Sequence, residues 1–208
     1  MNILAIGAHP DDIEFGCAGT LVKYQQQGHK IFLVVVTDGA AKGEAEIRRN
    51  EQMASARIIG AEDVFFGGYP DTELECSRDL ITYIEEIARK VKPDFTFVPY
   101  PDDTHQDHRA LAQAVIPASR YIIRNVLHFE GFSSMNFNPK VFVDVNEVLD
   151  QKLAALEAHK SQVMNTYVQD RSIVEVARAA ATFRGIQSRT QHAEAFVAGR
   201  LFINIDPG

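Results

Sequence analysis

The chain has 208 residues, 46% hydrophobic and 24% charged, with no Ser/Gly/Pro tract, low-complexity run or repeat to divide it, so one domain over residues 1–208 with a sizeable core is expected. A formal net charge of -7 argues against nucleic acid as a partner, since a phosphate backbone calls for a basic face. Cys17 and Cys76 are too few for a disulfide framework, no apolar stretch approaches the roughly 20 residues of a membrane span, and no secretion-signal pattern opens the chain, so a soluble cytoplasmic protein is expected.

The chain opens with a continuous apolar run, Asn2 to Gly7 ("NILAIG"). Similar runs recur at Lys30 to Val36, Asp63 to Phe66, Asp94 to Pro99 and Lys140 to Val145. Continuous rather than alternating apolar character suits strands of a parallel sheet covered on both faces. Helical patterns lie between them. Thr20 to Gln27 is stopped by Gly28, Glu44 to Ile59 by Gly60, and Ser77 to Val91 ends before Pro93. His105 to Arg124, with Pro117 as a kink or break, and Val145 to Asn165 continue the series. The alternation predicts an α/β fold: a Rossmann-like, doubly wound, mostly parallel sheet with helices on both faces. After Asn125 the mixture of aromatics, Gly and polar residues sets no order of elements.

Sites in such folds lie at the carboxyl ends of the strands. Three polar clusters fall there: "AHPDD" after the first strand, "TDGAAKGE" after the second and "PYPDDTHQDH" after the fourth. In the first, His9 offers an imidazole and Asp12 a carboxylate three positions on, while Pro10 stiffens the link. In the last, His105 and His108 are again three apart, with Asp107 between them. Two imidazoles, one carboxylate and an open position make a hydrolytic zinc site, with a second carboxylate left over as general base and a second histidine as acid or oxyanion stabiliser. Taken singly, "HPDD" reads equally as a turn with helix-capping aspartates and "HQDH" as a solvated helix start. Both at strand ends of one small domain argue for a shared site. The spacing leaves open which aspartate and which histidine would ligate.

"AHPDDIEFGCAGTL" followed by "HQDH" resembles the PIG-L/LmbE family of zinc-dependent N-deacetylases, which act on N-acetylglucosamine-type substrates. "RRNEQMASARIIGA", with Arg48 and Glu51, is similar to the family's Arg-x-x-Glu helix; "YPDTEL", with Asp71, "KLAALEAHKSQ" and "AEAF" are weaker likenesses. The resemblance implies His9, Asp12 and His108 as zinc ligands and Asp11 as the base. It implies His105 as the acid or oxyanion stabiliser, with Asp107 orienting it and favouring its protonated form. Arg48 would contact a sugar hydroxyl or an anion, and Asp71 is a second substrate candidate. Imidazole and carboxylate also suit Fe2+ and other divalent ions, so zinc is not exclusive. The implied reaction releases acetate and a free 2-amino sugar from a small amino-sugar substrate. An amidase acting on a thiol conjugate or other amide, and a non-catalytic ligand-binding module, are the alternatives. The segment from Gly43 to Glu46 is short, which leaves the aglycone side of the pocket unspecified. Rim loops this short also suit a homo-oligomer in which a neighbour completes them.

Other residues read as structural. His29 belongs to a surface turn, His128 to the core or rim, and His192 to the framework. His159 packs a helix or stands at the rim of the site. Asp102 and Asp103 read as a solvated turn, Phe65, Phe66 and Phe95 as core, and Cys17 as a small buried residue. "GCAG" supplies small residues that let a helix approach the sheet; no G-x-G-x-x-G follows the first strand.

Overall fold

The computed structural model describes residues 1–166 and 168–203. In chain order the elements are β1 (Asn2–Gly7), α1 (Asp12–Gln26), β2 (Lys30–Thr37), α2 (Ala45–Ile59), β3 (Asp63–Tyr69), α3 (Arg78–Val91), β4 (Phe95–Pro99), α4 (Gln106–Ala118), β5 (Val126–Phe129), β6 (Val141–Asp144), α5 (Leu149–Glu157), α6 (Ile173–Ser188) and β7 (Ala193–Arg200). The strands form one seven-stranded sheet in the order β3-β2-β1-β4-β5-β7-β6. The pairs among β1 to β5 are parallel, whereas β7 runs antiparallel to β5 and β6. Helices cover both faces, as expected of a doubly wound fold. Leu21, Ala56, Ile59 and Ala155 pack on one side with Ile3, Leu33 and Phe97. Leu80, Ile84, Leu111 and Val115 pack on the other with Leu4, Val34 and Val98.

β1 lies between β2 and β4, so the chain turns one way after β1 and the other way before β4. The two strands run parallel in register, Ile3 opposite Phe95 and Ala5 opposite Phe97. Their carboxyl ends therefore open side by side at the crevice where such folds bind ligands. Among the described residues, no helix is long and apolar enough to cross a membrane.

Several expected boundaries move. The first helix starts at Asp12, not Thr20, because β1 hands over to it through four residues, Ala8 to Asp11, and Ile13 to Val22 are buried against the sheet. The fourth ends at Ala118, with Pro117 tolerated in its last turn, and the fifth covers Leu149–Glu157 only. β5, α6 and β7 had no expected counterpart. The Lys140 run is a half-buried strand paired antiparallel to β7 instead of a covered parallel one. Phe65 and Phe66 lie on the edge strand β3 and are half-buried. Lys90 covers the first ring at 4.3 Å and Arg49 the second at 3.8 Å.

α1 is held to the sheet by shape and by charge. A Cβ at Gly16 would meet the Phe129 ring at 2.1 Å, and one at Gly19 would meet Val145 at 2.8 Å. The small residues of "GCAG" thus do what was expected of them. Behind the helix, Lys152 and Glu194 form a fully buried ion pair at 2.6 Å. Lys152 Nζ also donates to the Glu14 and Phe15 carbonyls, and the Glu194 carboxylate accepts from the Gly19 and Thr20 amides. Both charges are satisfied by one helix, as burial demands. Because Phe129 is itself core, Gly16→Ala is expected to cost about 1–3 kcal/mol of stability by overpacking. Urea unfolding should show a lower midpoint at unchanged slope.

Candidate functional site

The segments after β1, β3 and β4 converge on His9. Its Nε2 lies 3.0 Å from Asp71 Oδ1 and 3.0 Å from Asp107 Oδ2. Asp107 is 98 residues away in sequence and is completely buried. Its carboxylate is fixed further by the amides of Thr72 at 2.8 Å and Leu74 at 3.2 Å. Asp71 likewise accepts from Ala41 N at 3.0 Å. The other face of His9 looks at Asp12, with Nδ1 3.5 Å from Oδ2. Asp12 Oδ1 in turn lies 3.1 Å from His108 Nε2, and His108 Nδ1 lies 3.3 Å from Asp103 Oδ2. Asp12 thus stands between the two imidazoles, and each imidazole has a carboxylate on its far side.

Asp11 stands apart from this chain of contacts. Its φ of 103° is in the left-handed region, which a non-glycine residue enters at a cost of order 1–3 kcal/mol. Arg48, buried on α2, holds it there. Nη2 donates to the Pro10 carbonyl at 2.6 Å and to Asp11 Oδ2 at 3.1 Å, and Nη1 to the Gly39 carbonyl at 2.8 Å. Thr72, beside Asp71, is a second positive-φ residue, at 70°. The other half of the Arg-x-x-Glu pair ties down a different loop: Glu51 accepts from Ser161 N at 2.8 Å and Ser161 Oγ at 2.7 Å. One helix therefore braces the β1 loop, the β2 loop and the segment after α5.

His105 caps α4, its Nδ1 accepting from the Asp107 amide at 3.3 Å. With Nδ1 used as acceptor, the proton of the neutral ring resides on Nε2. The expectation that the Asp107 carboxylate orients His105 is corrected here: the backbone amide of Asp107 does so, and its side chain turns to His9, because the first turn of α4 points the carboxylate at the β3 loop amides. Burial and the His9 and His108 charges also lower the His105 pKa, outweighing Asp12 and Asp107, which do favour its protonated form.

The charges follow from burial and pairing. Burial opposes charge on His9 and His108, but the surrounding carboxylates prevail. Asp107, Asp12 and Asp71 hold His9 well above its ordinary value, and Asp12 and Asp103 bring His108 to about 9. Asp12 is buried too, yet the two imidazoles keep its carboxyl well below the usual range. Burial pushes Asp11 up to about 6 against the pull of Arg48.

A cleft of about 410 Å3 opens over this cluster, lined by His9, Asp11, Asp12, Arg48, Asp71, His105 and His108 from the expected set. Asp107 lies beneath it. Arg48 and Asp71, expected as substrate contacts, are already engaged with Asp11 and His9. Gln162, Asn165, Phe132 and Ser133 also line the cleft and were not singled out. Gln162 ends the "HKSQ" segment, so a signal existed for it; Phe132 and Ser133 lie in a stretch without pattern. The reading of Asp103 as a solvated turn is corrected: it is fully buried beside His108. His159 is also fully buried, 3.5 Å from Glu14 Oε2, and takes the packing place rather than the rim. His128 is a core histidine whose Nδ1 meets the Pro99 carbonyl at 2.9 Å.

The family described as PIG-L, GlcNAc-PI de-N-acetylase, matches residues 4–119, more than half of the chain. A curated relative, the uncharacterized deacetylase YaiS of Escherichia coli K12, is 38% identical over 169 residues, covering 77% of this chain and 91% of that protein. The 4-oxalmesaconate hydratase of Pseudomonas putida is 25% identical over 193 residues, covering 77% of this chain and 74% of the relative. The crystal structure of N,N'-diacetylchitobiose deacetylase from Pyrococcus horikoshii aligns with a TM-score of 0.80 at 27% identity, over 99% of this chain and 86% of that one. The PIG-L match, over residues 4–119, runs through both histidine–aspartate clusters, and the chain belongs to the PIG-L family of deacetylases.

Proposed function

We propose that this chain is a metal-dependent N-deacetylase that removes the acetyl group of an N-acetylglucosamine-type sugar, releasing acetate and a free amine. The observation that carries the reading is the placement of Asp12 between His9 and His108, with Asp11 held outside that set. Asp12 turns one oxygen to each imidazole, Oδ2 at 3.5 Å from His9 Nδ1 and Oδ1 at 3.1 Å from His108 Nε2, and His9, His105 and His108 bring a ring nitrogen each within 4.8 Å of one another. His9 Nδ1, Asp12 and His108 Nε2 would therefore hold a divalent cation, and the protons that their neighbours keep on both imidazoles are those it would displace. Two imidazoles and a carboxylate suit Zn2+, our assignment, and also Fe2+. Such an ion activates water and polarises an amide carbonyl.

The remaining steps belong to the chain's own side chains. Asp11, with Arg48 on one oxygen, takes a proton from the attacking water as the C–O bond forms. His105, neutral and carrying its proton on Nε2, donates a hydrogen bond from Nε2 to the carbonyl oxygen as negative charge develops there, and Asp11 passes the proton it took from water to the nitrogen as the C–N bond breaks. Asp71 and Asp107 keep His9 turned so that Nδ1 faces Asp12. Asn165, whose Nδ2 donates to Gln162 Oε1 at 3.1 Å, and the Phe132 ring line the cleft with the hydrogen-bonding and apolar groups that a pyranose ring uses. A ligand-binding module would have no use for Asp11 held at a strained φ beside the ligand set. The two cysteines, one buried and one exposed, are unpaired, which fits a cytoplasmic setting.

A panel of N-acetylglucosamine derivatives with different anomeric groups is expected to yield acetate. Turnover of bulky thioether amides in their place, or hydration of 4-oxalmesaconate without acetate release, would overturn the substrate assignment. Asp11→Asn should keep its metal and lose about 10^2–10^4-fold in kcat, the usual contribution of a positioned general base. Normal turnover by that variant would remove Asp11 from the role. His108→Ala should emerge without metal, because one of three protein ligands is gone. Elemental analysis at full occupancy would contradict the ligand set.

A further inference from the structure

His108 Nδ1 is buried and makes no hydrogen bond, while Asp103 Oδ2 lies 3.3 Å away. Asp103 sits between β4 and α4 with no exposure to solvent. A carboxylate in that position has to be paired or multiply hydrogen-bonded, and its other contacts connect two parts of the cleft. Oδ1 accepts from His105 N at 2.8 Å and from Ser133 Oγ at 2.7 Å, and Oδ2 accepts from Ser134 Oγ at 3.0 Å. The backbones also pair, residue 103 with residue 134, and Thr104 N donates to the Ser133 carbonyl at 3.1 Å. The segment so anchored carries Phe132 and Ser133, which wall the cleft.

We propose that Asp103 is a positioning residue with two partners: it orients His108 toward the metal through Nδ1, and it fixes the cleft wall through Ser133 and Ser134. The proposal rests on the reading of His108 as a metal ligand. A carboxylate on the outer nitrogen of a ligating histidine sets its tautomer and ring orientation, and loss of such a partner typically lowers metal affinity 10–100-fold. The serines touch the same carboxylate from the wall side, so the two effects separate by substitution.

The test measures Co2+ affinity by competition with a chromophoric chelator, with the visible absorption of the bound ion as a second readout. Asp103→Ala is expected to bind Co2+ about 10–100-fold more weakly than the wild type with an altered absorption band. Asp103→Asn, which keeps an acceptor oxygen, should fall between the two. The double variant Ser133→Ala/Ser134→Ala should bind Co2+ like the wild type and show a raised KM with kcat retained. Thermal unfolding of the metal-free proteins checks that each is folded; should Asp103→Ala not fold, Asp103→Asn carries the comparison. Wild-type Co2+ affinity in the Asp103 variants, or an equal loss in the serine variant, overturns the proposal. His108→Ala distinguishes the two levels. If it loses Co2+ while the Asp103 variants keep theirs, only the role of Asp103 fails; if it binds like the wild type, the ligand reading falls and takes the proposal with it.

Discussion

The site depends on a reciprocal exchange between two segments almost a hundred residues apart. Asp107, from the cluster after β4, faces His9, from the cluster after β1; Asp12, from the first cluster, faces His108, from the second. Neither segment completes its own imidazole environment. Each needs the other within 3.1 Å, which the adjacency of parallel β1 and β4 provides. Remove that strand order and both clusters revert to charged helix starts.

Gathering so many carboxylates at one rim is unfavourable without compensation. Four of them, Asp12, Asp71, Asp103 and Asp107, stay ionised because each has an imidazole in contact and accepts from at least one backbone amide as well. Asp11 has neither: its carboxyl is pushed up by burial, and its backbone is held in the left-handed region. The group without a local structural reason is the one for which a chemical role is proposed. Backbone strain of this kind persists where the surroundings over-determine it, and here Arg48 does so by binding Pro10 and Asp11 with one nitrogen and Gly39 with another.

Rigidity behind the site serves the same end. α1 begins at Asp12, so any slide of that helix would move the carboxylate that faces both His9 and His108. Gly16 and Gly19 bring it against Phe129 and Val145 without space to shift, and Lys152 and Glu194 grip its carbonyls and amides from within the core. A buried ion pair is weak evidence for stability taken alone. Directed at backbone groups of one helix, it defines where that helix lies.

How much was legible beforehand follows from the range of each interaction. The five expected strands are present because continuous apolar runs bounded by Gly, Pro and Asp carry their own signal, and His9, Asp12, His105 and His108 were legible from local spacing combined with strand ends. β5 and β7 were not, since β5 is four residues within an aromatic stretch and β7 is recognisable only once paired with β5 and β6. Asp103 was misread for a related reason: a two-aspartate turn looks the same in sequence whether water or a pair of serines thirty residues on receives it. The chain by itself determined the α/β alternation, the small residues of α1 and the residue types at the rim, all properties of neighbouring positions. The tertiary structure decided which carboxylate faces which imidazole, that Arg48 and Asp71 brace the site from within, and that Asp107 serves His9 rather than His105. Those choices are made by contacts between strands, and side-chain direction across a sheet rim is set by packing that no local pattern encodes.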